Sequence, residues 1–414
     1  MKKIISFILA TLMILFAFAS CNNSASKETE EQTETQTENS TEKQTETEKA
    51  TENSDKNNSD KNNSDKNNSD NNENGNSDNN NIDDSGNIED WNKGTYTRNG
   101  NKITFGYYPQ TNVADKKLTA ALTSTAGTLP TSENSQAWTP YGYYIGGKVE
   151  NFMWYIDVFN DGEKYRGVYF TTYRSYWPQY ELPGETSTYQ YQNGYIVSTV
   201  YWFKYEPVTW TILNENTSDG SALILCDMII DSQAYQDDYY IDGDEYYDMY
   251  NTSTGVPSGT YANNYAYSTI RKWLNENFYN TAFSELQKQI ILTTTVDNSA
   301  TSEYITSNEY ACENTQDKIF LLSSKEVTNA AYGFENELSN HISRQRKATD
   351  YAQAQGAKIC TERAYMGNAS WWLRQPTNFY ANRTYLISYK ALITADTDIY
   401  CNYVGVVPAL QIKL

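Results

Sequence analysis

Four consecutive residues near the carboxyl terminus carry side chains that could bind a ligand directly. Trp371 and Trp372 are followed by Leu373 and Arg374. Exposed aromatic rings stack on the faces of sugars, and a guanidinium group pairs with carboxylates. The alternative, which the sequence favours, is a core strand in which a buried acid holds Arg374. Trp371, Trp372 and Arg374 are the candidate ligand-binding residues.

A dense acidic segment, residues 235–251, could supply oxygen ligands to a metal ion. Ca²⁺ prefers carboxylate and carbonyl oxygens of this kind. Their order does not fit an EF-hand loop, because the glycine and the distal glutamate are misplaced. We therefore expect an exposed acidic loop and no bound metal. The weak calcium candidates are Asp237, Asp242, Asp244, Glu245 and Asp248.

The residue types that hydrolases combine most often are sparse in this chain. His341 is the only histidine, and no Gly-x-Ser-x-Gly elbow is present. A histidine-based triad is therefore not expected, whereas a pair of catalytic carboxylates stays open because Asp and Glu are numerous. We expect no catalytic residue and no cofactor.

The amino-terminal leader has the organisation of an export signal. Lys2 and Lys3 precede an apolar run of fifteen residues, Ile4–Phe18, which is short for a membrane span of about 20 residues. Phe18-Ala19-Ser20-Cys21 resembles the bacterial lipoprotein box. That resemblance implies cleavage after residue 20 and acylation of Cys21 by fatty acids such as palmitate. An ordinary signal peptide with an incidental cysteine is the alternative.

Residues 21–90 are predicted to form a disordered acidic tether. They contain no aromatic residue, and the unit SDKNN begins at Ser54, Ser59 and Ser64. Residues 22–90 hold 19 acidic and 6 basic side chains, a net charge of 6 − 19 = −13. Such a chain buries too little apolar surface to offset its conformational entropy. It would hold a folded domain away from the bacterial membrane to which the lipid at Cys21 attaches it.

The remaining residues, 91–414, are predicted to fold. They contain all 37 tyrosines and all nine tryptophans, with 33 acidic and 24 basic residues. This acidic part lacks a basic patch, so a nucleic-acid partner is not expected. The aromatic content favours an exported, β-rich recognition module. A tyrosine-rich core and surface is an equally good interpretation.

Hydrophobic patterning predicts an α+β fold of mostly antiparallel strands with two to four short helices. Residues 111–140 read as a loop, within an aromatic-rich insertion at about 112–200. Ser268, Ser284 and Ser323 are predicted helix caps. The predicted strands are Asn101–Gln110 up to a proline turn, Asn151–Phe159, Tyr165–Tyr173, Tyr195–Phe203, Pro207–Leu213 and Ser221–Ile230, followed near the end by three more.

Four cysteines follow Cys21, namely Cys226, Cys312, Cys360 and Cys401. Their spacing does not fit a zinc site. An exported location permits disulfides, with three complete connectivities open. Cys226 lies in an apolar strand, where a buried thiol is expected.

The order of several motifs resembles an uncharacterised bacterial family, the domain of unknown function numbered 6273. The motifs are FGYYPQ, EPVTW, LILCDMIID, STIRKWLNENFYNTAF, KIFLLSSKEV, ATDYA, WWLRQP and GVVPAL. The resemblance extends from about Ile103 to Leu414. Val407 stands where the family usually has an arginine, so an ion pair made by that arginine would be missing here. The ending also resembles C-type-lectin-like domains of the formylglycine-generating type.

These observations together predict a lipid-anchored protein of the bacterial cell envelope that faces away from the cytoplasm. Its folded part would bind an extracellular glycan or protein without catalysis. One alternative is an exported enzyme, either a carboxylate-dependent hydrolase or a modifying enzyme of the formylglycine-generating type that uses Cys360 and Cys401. A structural envelope protein is a further alternative.

Overall fold

The structure, a computed structural model, describes residues 95–131, 137–145, 148–174, 188–248, 255–302, 308–336 and 339–414. All of them belong to the compact unit Gly86–Leu414. The predicted signal peptide, Cys21 and the tether lie outside these residues. Within the described ranges, every helix is too short or too polar to cross a membrane.

The larger sheet of the described residues has eight strands, and every pairing in it is antiparallel. Its path runs β1-β2-β6-β5-β4-β3, while β7 pairs with both β6 and β17. The strands are β1 Thr97–Asn99, β2 Lys102–Asn112, β3 Thr139–Ile145, β4 Lys148–Asn160, β5 Glu163–Phe170, β6 Val200–Asn216, β7 Ser221–Cys226 and β17 Ala409–Lys413.

Strand β6 lies in the middle of this sheet, and its length shows that two predicted strand boundaries are wrong. Its 17 residues continue through Pro207, so the predicted separate strands on either side of that proline are wrong. Pro207 lies between the stretch of β6 that pairs with β5 and the stretch that pairs with β7. Strand β2 likewise continues through Pro109, with a register shift before Thr111, and does not end in a turn. Prolines are tolerated where a ladder is interrupted.

A helix, α1 (Lys116–Ala126), occupies part of the segment that was predicted as a loop. The Asp115 carboxylate caps it by accepting hydrogen bonds from the amides of Lys117 and Leu118. Leu122 and Ala126 are buried. They pack in a satellite cluster with Trp138, Trp154, Val158, Tyr165 and Trp202. The loop prediction was wrong because the weak, Thr-rich pattern hides this apolar face.

A smaller sheet of five strands lies in the carboxyl-terminal half of the described chain. Its order is β15-β14-β13-β16-β8, and β13 pairs with β16 in parallel. The remaining strands of the described residues form two two-stranded sheets, β9–β10 and β11–β12. The bounds are β8 Asp231–Ser232, β9 Tyr239–Asp242, β10 Glu245–Asp248, β11 Thr294–Val296, β12 Thr315–Asp317, β13 Trp371–Pro376, β14 Thr384–Ile387, β15 Ile393–Thr394 and β16 Gly405–Val406.

Short helices cover these sheets, and the predicted serine caps are confirmed. Ser268 caps α3, Ser284 forms a capping box with Gln287, and Ser323 exchanges hydrogen bonds with Glu326. The helices are α2 Tyr189–Gln192, α3 Thr269–Trp273, a π-helical turn Leu274–Phe278, α4 Tyr279–Ala282, α5 Glu285–Lys288 and α6 Asp350–Ala354.

One hydrophobic core joins the two sheets. It includes Phe105 and Trp210 from the larger sheet, Phe278 from the π-helical turn, and Trp371 and Trp372 from the smaller sheet. The predicted class, α+β with mostly antiparallel strands and a few short helices, is confirmed.

Candidate ligand-binding cleft

The aromatic-arginine motif lies in the core strand β13. Trp371 and Trp372 are fully buried, and their indole N–H groups donate to the carbonyl oxygens of Arg344 and Gln233 at 3.1 and 2.8 Å. Arg374 is only 3% exposed. The structure therefore corresponds to the core-strand alternative, and these side chains offer no surface to a ligand in solution.

Arg374 is held by the acid that the core alternative required. Its Nη1 donates to Glu326 Oε2 at 2.5 Å and to the Leu321 carbonyl oxygen at 2.9 Å, and its Nη2 donates to the Asp297 carbonyl oxygen at 3.1 Å. The same Glu326 carboxylate accepts the Ser323 amide in the capping box. Arg374 thus ties the smaller sheet to two chain segments.

Residues 235–248 of the acidic segment do not form the expected exposed loop, because they contain the β9–β10 hairpin. Asp242 and Asp244 are exposed at its turn, whereas Asp248 is buried, and burial raises the pKa of Asp237. Across the described parts of the chain, no three His, Cys, Asp or Glu side chains are grouped to hold a metal ion. The calcium candidates, Glu245 included, therefore do not converge in this structure.

The tyrosines of the described residues are divided between the core and the surface. This division fits the interpretation of a tyrosine-rich core and surface. Eleven of the tyrosines are buried, namely Tyr108, Tyr165, Tyr173, Tyr195, Tyr205, Tyr235, Tyr239, Tyr265, Tyr310, Tyr351 and Tyr400. On the β9–β10 hairpin, the Tyr247 ring stacks between Tyr240 and Tyr261, with centroids 5.5 and 5.4 Å away.

The cysteines of the described part of the chain form no disulfide with one another. Cys226 is buried, as expected, and burial raises the pKa of its thiol to about 12. Burial also raises the pKa of Cys312 to about 11. Such thiols stay protonated at neutral pH, which makes them poor nucleophiles. Cys360 and Cys401 are buried as well.

A cleft of about 520 Å³ lies where the larger sheet meets two carboxyl-terminal segments. Small-molecule sites in proteins typically measure ~300–1,000 Å³. The sequence analysis did not single out the residues that form it. They are Asn101, Lys102, Thr211, Ile212, Leu213, Asp227, Ala331, Tyr332, Gly333, Phe334, Ser343 and Arg346.

Strand register brings the polar residues of one cleft wall together. Lys102 on β2 lies opposite Thr211 on β6, and the amide of Asp227, just beyond β7, donates to the Thr209 carbonyl at 3.0 Å. Because side chains alternate along a strand, Thr211 faces away from the buried Trp210 and into the cleft.

These three side chains form a closed hydrogen-bond network. Lys102 Nζ donates to Thr211 Oγ1 and to Asp227 Oδ2, each at 2.6 Å. The Thr211 hydroxyl donates to Asp227 Oδ1. Both carboxylate oxygens of Asp227 are therefore occupied, and Lys102 balances its charge.

Arg346 supplies a second cation close to the end of β7, next to Asp227. The amide of Ile229 donates to the Lys347 carbonyl at 2.9 Å, which fixes the backbone beside Arg346. Arg346 Nε donates to the Cys226 carbonyl at 3.3 Å, and Nη1 donates to two further carbonyls at 2.8 and 2.9 Å. Its Nη2 makes no hydrogen bond to any described residue. Burial lowers the pKa of Arg346 and Asp227 opposes that shift, and arginine stays charged at neutral pH.

A short turn presents the aromatic wall. Asn329 caps the 3₁₀ helix Ala330–Tyr332, and Gly333 ends it with φ of 81°. Glycine suits this left-handed conformation because a side chain would strain it. Phe334 then turns into the core at 5% exposure, while the Tyr332 ring stays half-buried in the cleft wall.

The buried Arg344 fixes the chain behind this turn. It donates to the carbonyl oxygens of Val327 at 3.2 Å, Glu335 at 3.0 Å and Ala391 at 3.1 Å. The cleft wall is therefore tied to the core on both sides of Phe334.

His341 lies beside the cleft and contacts one of its lining residues. Its Nδ1 is 2.9 Å from Ser343 Oγ and accepts the Ser343 amide at 3.3 Å, so it caps the 3₁₀ helix Ile342–Arg344. Its Nε2 is 3.7 Å from Glu335 Oε2, and both side chains are about half exposed. The Glu335 carboxylate is beyond hydrogen-bond distance from the imidazole, so it does not orient the ring as the acid of a triad would. We therefore interpret the contact between His341 and Ser343 as a helix cap.

The fold and the cleft define an α+β domain that could bind a small polar ligand. Residues 219–414 match the model of a family described as Domain of unknown function (DUF6273). The carboxyl-terminal part of the chain therefore contains a domain of that family. The match includes Asp227, Tyr332 and Arg346, whereas Lys102 and Thr211 precede it.

The FGYYPQ and EPVTW motifs, which are part of the resemblance in sequence to this family, also lie before the matched residues. Comparisons with curated proteins and with solved structures found no match. The lectin-like analogy stays a prediction.

Proposed function

We propose that this protein is a lipid-anchored surface protein whose folded part binds an extracellular glycan in the cleft, without catalysis. The observation that carries the proposal is the composition of the cleft walls. The Tyr332 ring, the hydroxyl groups of Thr211 and Ser343, and the Arg346 guanidinium line one space of about 520 Å³, and Nη2 of Arg346 has no hydrogen-bond partner among the described residues. Sugars need such a mixture, because their rings are apolar on the faces and polar at the edges.

The charges in the cleft support binding more than hydrolysis. Hydrolysis of a glycosidic bond generally uses two carboxyl groups that flank the bond. Among the described lining residues, Asp227 is the single carboxylate, and both of its oxygens are hydrogen-bonded. An acid held in this way is poorly placed to transfer a proton.

The anchor belongs to the proposal through the leader and tether sequences. Cys21 would carry the lipid, and residues 22–90 would extend the folded part from the membrane surface. Cells that express the protein should incorporate a fatty-acid analogue into it, and Cys21→Ala should abolish the labelling. Equal labelling of the wild type and the Cys21→Ala variant would contradict the proposed lipid anchor.

The binding proposal is tested with the full chain, purified in detergent, on glycan and protein arrays at several salt concentrations. Ala331→Trp should weaken glycan binding, because Ala331 lines the cleft and a large ring would fill it. Ala330→Trp is the matched control, since Ala330 is exposed on the same turn but does not line the cleft. If both variants retain glycan binding, the cleft is not the binding site. If the chain binds only proteins on the arrays, the proposed glycan ligand is wrong.

The contact between Ser343 and His341 favours a second candidate, an exported hydrolase with a serine nucleophile. Their 2.9 Å separation would let the imidazole accept the hydroxyl proton. A fluorophosphonate probe should leave the protein unlabelled if the cap interpretation is right. Labelling that Ser343→Ala removes would establish the hydrolase instead.

A further inference from the structure

We propose that the cleft selects a sugar that carries a carboxylate, and that Arg346 receives this group; the inference rests on the proposed glycan-binding function. The distribution of charge in the cleft carries the argument. Asp227 is neutralised by Lys102 at 2.6 Å, and the Thr211 hydroxyl occupies its other oxygen. The described lining residues hold two cations, Lys102 and Arg346, and one carboxylate, Asp227, a net charge of 2 − 1 = +1, so no second carboxylate balances Arg346.

The guanidinium of Arg346 is positioned before a ligand arrives. Nε and Nη1 are used by three main-chain carbonyls, which fix the plane of the group. Nη2 makes no hydrogen bond to any described residue, and Arg346 lines the cleft. A charge-assisted hydrogen bond from a fixed donor costs less conformational entropy than one from a mobile side chain.

Neighbouring acids do not cancel this charge. Glu326 is paired with Arg374, and Glu335 lies beside His341 on the solvent side. The predicted folded residues carry a net charge of 24 − 33 = −9, so a cationic cleft runs against the charge of its own domain. Carboxylates should be attracted to this cleft even though the rest of the surface repels them.

The aromatic wall distinguishes an acidic sugar from a simple anion. The half-buried Tyr332 ring offers an apolar face to a pyranose, which inorganic phosphate or acetate could not use. A neutral sugar could use that ring but would leave Arg346 unpaired. A uronic acid uses both features.

The test compares trigalacturonic acid with its methyl ester, which has the same sugar rings but no charge. Binding to the full chain is measured by titration calorimetry at low and high salt. We expect the acid to bind at least about tenfold more tightly than the ester, as one charge-assisted hydrogen bond implies. The difference should shrink at high salt.

Two variants of the cleft test which side chains cause the preference for the acid over the ester. Arg346→Met should remove the preference for the acid, and Arg363→Met is the control, because Arg363 is exposed and does not line the cleft. Since Arg346→Met also strips three carbonyls of a donor, Lys102→Met provides a second variant on the exposed side of the cleft. It leaves Asp227 unbalanced and should also weaken the acid selectively.

Each outcome decides between the two proposals. Equal binding of acid and ester, with loss in Ala331→Trp, overturns the carboxylate preference but keeps the glycan site. Preference for the acid that survives in both folded Arg346→Met and Lys102→Met overturns the role of the cleft cations. Failure of both sugars to bind, together with an array free of glycan hits, overturns the glycan proposal itself.

Discussion

Replacing Arg374 by methionine tests whether the aromatic-arginine motif stabilises the core. Methionine replaces the apolar stem of the arginine side chain with a similar unbranched chain but removes the guanidinium group and every donor. Glu326 would lose its guanidinium partner, and the carbonyls of Leu321 and Asp297 would lose their donor from Arg374.

The size of the effect follows from these contacts. A hydrogen bond to a charged group contributes about 1.5–3 kcal/mol and a neutral acceptor left without a donor costs ~1 kcal/mol or more. Relief from burying the guanidinium offsets part of this loss. Glu326 is 25% exposed, so water can hydrate the abandoned carboxylate. We expect a loss of about 3 kcal/mol, at the lower end of the range for breaking buried ion pairs.

Guanidinium chloride unfolding, followed by tryptophan fluorescence, measures this loss in the full chain. Arg383→Met is the matched control, because the side chain of Arg383 is 35% exposed in its ion pair with Asp398, whereas that of Arg374 is 3% exposed. Asp398 also keeps hydrogen bonds from Asn382 and Tyr400. Arg383→Met should lower the free energy of unfolding by less than about 1 kcal/mol. Equal losses in the two variants would show that Arg374 does not hold the core in the way described.

Two further perturbations test the sheets. Burial alone would raise the pKa of Asp157, but Arg166, Lys164 and Tyr205 lower it below its ordinary value of 3.8. The stabilisation is therefore present above that value and is lost as pH falls through the native pKa. The stability advantage of the wild type over Asp157→Asn should shrink from about pH 5 toward pH 2, and a constant gap would argue against the ion pair. In the smaller sheet, a Cβ on Gly405 would collide with Ile229 Cγ2 and reach its Cγ1 and Cδ1 at 3.1 Å. Gly405→Ala should cost about 1–3 kcal/mol, and in an Ile229→Ala background the same change should cost much less; equal costs would exclude that clash.

Much of the fold was predictable because local chemistry and tertiary packing agree there. The caps at Ser284 and Ser323 follow from side chains that satisfy amides a few residues away, so spacing alone reveals them. The helix α1 was missed because most of its residues are Thr, Ala and Ser, and a single fully buried leucine, Leu122, anchors it. Tertiary packing against Trp202 and Trp154 decides its conformation.

The cleft could not be predicted from the sequence because its residues are brought together by pairings over long distances. Lys102 and Asp227 are 125 positions apart, and they meet only because β2, β6 and β7 are adjacent. Arg346 joins them through the backbone contact with Ile229. The aromatic-arginine motif drew attention for its composition, yet burial removes Trp371 and Trp372 from any surface.

The position of the cleft has a consequence for the family domain itself. Residues 219–414 contain β7 and β17, but β7 also pairs with β6, which precedes the match. Without β6, strand β7 would expose an unpaired edge, and the core would lose Trp210. The matched residues therefore do not complete their own sheet in this chain. Because Lys102 and Thr211 come from those same preceding strands, the segment that closes the sheet also builds one wall of the cleft. A relative that closes its sheet with a different segment would build this wall of the cleft from other side chains.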